Sequence, residues 1–152
     1  MPALRPADSA PSNKAVRKAI ERLYTHALRE YWIWETARPL LTLRCVWAEL
    51  PSTSDQPSEE ELAQALIAYL KKAIDQVESS QYRKLLTIVL AADDAKLREA
   101  TATVRRQEAG KRFRGANAKA VTGGTIRQHH EGKAASALAA VVIRDEEQLL
   151  QA

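Results

Sequence analysis

The chain has 152 residues, 45% hydrophobic and 28% charged, with a formal net charge of +4 at pH 7. That apolar share is enough to close a core and excludes a disordered chain, while six prolines and five glycines are few for a turn-rich all-β protein. Cys45 is the single cysteine, so no intramolecular disulfide exists, and no apolar run approaches a membrane span.

Ala, Leu, Arg, Glu and Lys dominate, all good helix formers, and an all-α fold is expected. Residues 1–12 read as a flexible leader, 13–92 as a helical bundle, and 93–152 as a basic helix-turn-helix-like unit packed on it. The leader lacks the apolar stretch of an export signal, which places the expected protein in the cytoplasm, away from membranes. Ser12 or Asn13 can cap a first helix. Val16, Ile20, Leu23, Tyr24, Ala27, Leu28 and Tyr31 recur at three- and four-residue steps and carry that helix to about Glu35. Pro39 ends it. Leu40 to Leu50 fits either helix or strand by spacing; helix is the expectation, since no partner strand is visible elsewhere.

A polar loop follows, and Ser58 with Glu61 then has the form of a capping box. Behind it, Leu62, Ala65, Leu66, Tyr69, Leu70, Ala73, Ile74 and Val77 make an unbroken helical stripe. Ser79 and Ser80 allow a break before a further stripe of Tyr82, Leu85, Leu86, Val89 and Leu90. Leu62, Leu66, Leu70, Ile74, Leu85 and Val89 are the predicted main core. Asp93 and Asp94 open a turn or cap a short helix around Leu97, and Thr101 suits the cap of the next.

From Thr101 to Lys133 the chain carries Arg105, Arg106, Lys111, Arg112, Arg114, Lys119, Arg127 and Lys133 against Glu108 and Glu131, a local balance of +6. One segment thus holds more than the whole net charge, the electrostatic pattern of phosphate binding. A first helix from about Ala102 to Phe113 would turn Val104, Ala109 and Phe113 inward. A second, capped by Thr122, would place Ile126 against Ala109 and expose Thr125, Arg127, Gln128, His129 and His130. A third, from about Lys133 to Leu149, would bury Ala134, Ala137, Leu138, Val141 and Val142.

The succession of Val104, Ala109, Thr125-Ile126-Arg127 and a following Ala/Leu-rich helix resembles the helix-turn-helix of LuxR-type regulators and the promoter-reading region of sigma factors. The Tyr82 to Leu90 segment joined to it also resembles a pattern in regulatory-type proteins of high-GC bacteria. These resemblances cover the last third of the chain and imply sequence-specific DNA binding. Arg127, Gln128 and His129 would then face base edges, with Thr125 beside them. Arg105, Arg106, Lys111, Arg112, Arg114 and Lys119 would hold the phosphate backbone.

Other chemistry finds little footing. Gly123 and Gly124 between Thr122 and Thr125 suggest a phosphate cradle, yet neither a Walker nor a dinucleotide pattern surrounds them, and a turn is the simpler reading. His129, His130 and Glu131 are adjacent and project around a helix instead of converging on a metal. No spacing favours a nucleophile with its base, so no catalytic residue, metal or cofactor is assigned. Trp32, Trp34 and Trp47 form either a second small core or an interface for a protein partner or a second copy. The sequence therefore reads as a small non-enzymatic DNA-binding or transcription-regulatory protein whose partner is duplex DNA. The alternative is an interaction adaptor that takes an acidic partner on the basic face or an apolar one on the Trp patch. No small-molecule ligand is identifiable.

Overall fold

The computed structural model describes residues 4–51, 56–113 and 119–151, apart from the side chains of Glu30 and Tyr31. Helix α1 (Asn13–His26) starts where the Ser12 hydroxyl accepts the Ala15 N–H, and its stripe of Val16, Ala19, Ile20, Leu23 and Tyr24 is buried. It does not run on to Glu35. At Ala27 φ reaches 59°, the N–H of Ala27 returns to the Leu23 carbonyl, and the Leu28 N–H is taken by Leu90, distant in sequence, at 2.9 Å. The chain restarts as α2 (Glu30–Thr36). No glycine or proline marks this break; a tertiary hydrogen bond fixes it.

The ambiguous stretch is helical but divided. A 3-10 turn (Arg38–Thr42) with Pro39 in its first turn leads through extended Leu43 into the one-turn α3 (Arg44–Trp47). The orphan N–H groups of Arg44 and Cys45 at the head of α3 donate to Glu146 at 2.8 and 3.0 Å. Glu146 is completely buried, a carboxylate brought from the far end of the chain to cap a helix that has no cap of its own.

Helix α4 (Glu59–Asp75) opens on the expected box: Ser58 Oγ accepts the Glu61 N–H, and the Glu61 carboxylate accepts the Ser58 N–H, each at 3.1 Å. Replacing Ser58 by alanine is expected to lower stability by about 1 kcal/mol, with glycine costing less, in urea denaturation. Ser79 caps α5 (Ser80–Val89), and Asp94 caps α6 (Ala95–Glu99) through the Lys96 and Leu97 N–H groups. Thr101 caps α7 (Ala102–Arg112). Leu62, Leu66, Leu70, Ile74, Leu85 and Val89 are all buried in one cluster that also takes in residues of α1, α7 and the C-terminal helix.

Three arginines close helix ends. Arg83 donates to the Val77 and Glu78 carbonyls behind α4, and Arg98 to those of Ala91 and Ala92 behind α5. Arg105, with no exposed surface, donates to the carbonyls of Tyr24, Thr25, Val89 and Ala100. Burial, then the charges of Arg29 and Arg106, pull its pKa down to about 10, so it stays charged at neutral pH.

The C-terminal region corrects the expected architecture. Gly123–Thr125 (α8), a π-helical turn over Ile126–His130 and Glu131–Gln151 (α9) follow one another without interruption as a single joined helix. Thr125, Ile126 and Glu131 all keep right-handed helical φ and ψ, so no turn separates a second helix from a third. The helix-turn-helix-like unit is therefore not formed. Residues five apart on an α-helix point about 140° away from each other. The π turn, in which the Glu131 N–H reaches the Ile126 carbonyl, lets both Ile126 and Glu131 turn inward. Beyond it Ala134, Ala135, Leu138, Ala139, Val141 and Val142 are buried, and α1 is the most extensive neighbour of α9. This helix is a central strut of the fold, not a projecting reader. Among the described residues no helix is long and apolar enough to cross a membrane.

Candidate functional site

The joined helix begins beside α7, and a cleft opens there. Gly110 and Gly123 make that approach possible. A Cβ on Gly110 would lie 2.3 Å from the Val121 carbonyl oxygen, and one on Gly123 would lie 3.2 Å from the Gln107 nitrogen. The Val121 N–H donates to the Gly110 carbonyl at 2.9 Å and fixes the entering strand of chain on α7. Thr122 then caps the helix by accepting the Thr125 N–H at 3.1 Å, while its carbonyl accepts from Ile126. The N–H groups of Gly123 and Gly124 have no acceptor among the described residues.

The cleft holds about 570 Å³ and is lined by Thr103, Arg106, Gln107, Val121, Thr122, Gly123, Gly124 and Arg127. Two arginines stand in this wall, and no carboxylate does among the described residues. Arg106 is held in a buried ion pair: its Nε and Nη2 both donate to the Glu131 carboxylate, the latter at 3.0 Å, and the side chains are 17% and 7% exposed. Glu131 is anchored in turn, its carbonyl accepting from the Tyr24 hydroxyl at 2.9 Å. Burial and the nearby Glu131 charge push the Tyr24 pKa well up, keeping that hydroxyl a donor. Arg127 is exposed at the mouth.

The residues expected to bind nucleic acid do not form one face. Arg105 is inside the protein, and Arg106 is committed to Glu131. Lys111 pairs with Glu108 at 2.9 Å. Arg112, Lys119, Arg127, Gln128 and His129 are exposed, and the Thr125 amide is engaged by its own cap. Arg114 lies outside the described residues. Arg127, Gln128 and His129 occupy the π turn of the joined helix, so they belong to no separate recognition helix. A reading as a helix-turn-helix regulator that docks in the major groove is thereby overturned. The basic-face form of the adaptor alternative gains nothing from the structure, because these internal commitments break that face up.

The tryptophans are likewise drawn inward. Trp32 stacks on His26 with centroids 4.5 Å apart, which gives that histidine a structural role. Trp34 and Trp47 are half-buried against the core; Arg38 lies 5.3 Å over the Trp34 ring, and Trp47 donates to the Leu41 carbonyl at 2.8 Å. Among the described residues the exposed large hydrophobics are instead Val104 and Leu149. Val104 was expected inward, and Arg105 has taken the place given to it.

Sequence reasoning missed Arg105, Glu131 and Glu146 as buried groups. A signal was present in the spacing: Arg105, Ala109 and Phe113 are four apart, as are Leu138, Val142 and Glu146. A charge in register with an apolar stripe marks a side chain bound inside. Among the described residues no group of three or more His, Cys, Asp or Glu could hold a metal ion. No protein-family model, curated protein or solved structure matches this chain, so the likeness to LuxR-type regulators and sigma factors rests on the quoted residues alone.

Proposed function

We propose that this protein is a non-enzymatic binding module of the cytoplasm that takes a small oxyanion-bearing ligand in the cleft between α7 and the head of the joined helix. The observation that carries this reading is that one cavity is lined by two arginines, Arg106 and Arg127, together with Gly123 and Gly124, whose amides have no acceptor among the described residues. Helix-start N–H groups carry partial positive charge and match the oxygens of a phosphate or sulfate; Arg127 supplies full charge at the mouth, while Arg106 backs the wall in its ion pair with Glu131. Thr103, Thr122 and Gln107 add polar groups in the same wall. Close backbone contact at Gly110 and Gly123 holds the arrangement in place before a ligand arrives, which lowers the ordering cost of binding.

Binding without catalysis is supported by the state of the reactive side chains. Cys45 is buried and its thiol is pushed up to about 12, chiefly by burial, which suppresses the thiolate. His26 is stacked on Trp32, and His130 packs on Phe113 with centroids 4.1 Å apart.

Titration with inorganic phosphate, followed by amide NMR, tests the site. Saturable shifts at Gly123 and Gly124 are expected, with a dissociation constant on the order of 1 mM. Arg127→Ala should weaken that binding about tenfold by removing a charge-assisted contact at the mouth. Unchanged amide positions at both glycines up to about 50 mM phosphate would overturn the reading.

A further inference from the structure

The charge count around the cleft does not end at its wall. Glu131 lies behind Arg106 and binds it through two guanidinium nitrogens, with both side chains largely buried. In the cavity wall and its ion pair, two cations and one carboxylate sum to a single positive charge; Arg105, whose charge also acts on Arg106 and Glu131, is tied to four carbonyls inside the protein. A buried ion pair is screened weakly by solvent, so the carboxylate opposes a second negative charge on anything bound there. Glu131 is also fixed in position: it begins α9, its N–H bonds Ile126 through the π turn, and its carbonyl holds the Tyr24 hydroxyl.

We infer that Glu131 is a specificity-determining residue for the cleft: by neutralising Arg106 it keeps the site from favouring a dianion over a singly charged tetrahedral oxyanion. The inference rests on the binding reading above and adds to it the charge class of the ligand. The π turn is what makes the pairing available, since it swings Glu131 to the side of the helix that faces Arg106. Methanesulfonate and sulfate share tetrahedral shape but differ by one unit of charge and one acceptor oxygen, so the change in their ratio between the unaltered protein and its Glu131 variants isolates the charge effect.

The full chain is titrated with the sodium salts of both anions, read by the Gly123 and Gly124 amide shifts. In the unaltered protein the two dissociation constants are expected to agree within about threefold. In Glu131→Gln, whose carboxamide oxygen still accepts from Arg106, preference for sulfate over methanesulfonate should rise about five- to tenfold. Glu131→Asp should retain the original ratio, because it keeps the charge. A ratio in Glu131→Gln equal to that of the unaltered protein overturns the inference while leaving the cleft as a binding site. Should Glu131→Gln fail to fold, the unaltered protein decides alone: sulfate bound more than about tenfold tighter than methanesulfonate overturns it. Absence of saturable binding of either anion overturns the binding reading itself, and this inference with it.

Discussion

Replacing Arg105 by methionine is expected to lower the unfolding free energy by about 3 to 5 kcal/mol. The guanidinium has no exposed surface and donates to four carbonyls that close three different parts of the chain: the end of α1, the end of α5 and the residue behind α6. Methionine fills much of the volume but satisfies none of those acceptors, and each buried carbonyl left without a donor costs free energy. Lysine retains the charge without the planar fork, so it can reach fewer of the four acceptors. An intermediate loss is expected for Arg105→Lys. Urea denaturation of the three proteins checks the order; a near-zero loss for methionine would show that the bonds contribute nothing net.

Alanine at Gly110 should destabilise by about 3 kcal/mol, although glycine to alanine inside an exposed helix normally gains about 1 kcal/mol. The added methyl would meet the Val121 carbonyl oxygen at 2.3 Å, and that atom belongs to backbone already hydrogen-bonded to Gly110. Relief requires the segment leading into the joined helix to move off α7, which opens the cleft wall as well. Gly124 is the control. Its nearest neighbour to a new Cβ is the Thr122 hydroxyl at 3.8 Å, so Gly124→Ala should be neutral or gain up to about 1 kcal/mol. Thermal denaturation of the pair should therefore show shifts of opposite sign, or a shift in Gly110→Ala alone.

Much of this fold is written in short-range chemistry. Ser58 with Glu61, Asp94, Thr101 and Thr122 each cap the helix start they suggest, and Ser79 caps the helix after the break it allows, because a side chain reaching two or three residues ahead needs nothing from the rest of the molecule. The stripe from Leu62 to Ile74 is buried for a similar reason: three- and four-residue spacing makes one face whatever lies opposite. The candidate cleft was half legible. Thr122 was legible as the cap of a helix start, whereas Gly123 and Gly124 read more simply as a turn, and no spacing in the chain could place Arg106 beside them.

What the chain's own pattern determined is therefore an all-helical protein, with its helix starts, its apolar stripes and a basic segment from Thr101 to Lys133. Tertiary structure decided where helices stop and what charges do. The break at Ala27 depends on Leu28 meeting Leu90, and α3 depends on Glu146. The same contacts that bury Ile126 and Glu131 together join 123–151 into one helix, which removed the helix-turn-helix. Basic residues that sequence distributes evenly over a surface were sorted by packing into a buried bolt at Arg105, an ion pair at Arg106 and an exposed arginine at Arg127. Side-chain charge is a property of a residue, whereas its partner and its solvation belong to the folded whole, and it is these that determine what a charge can bind.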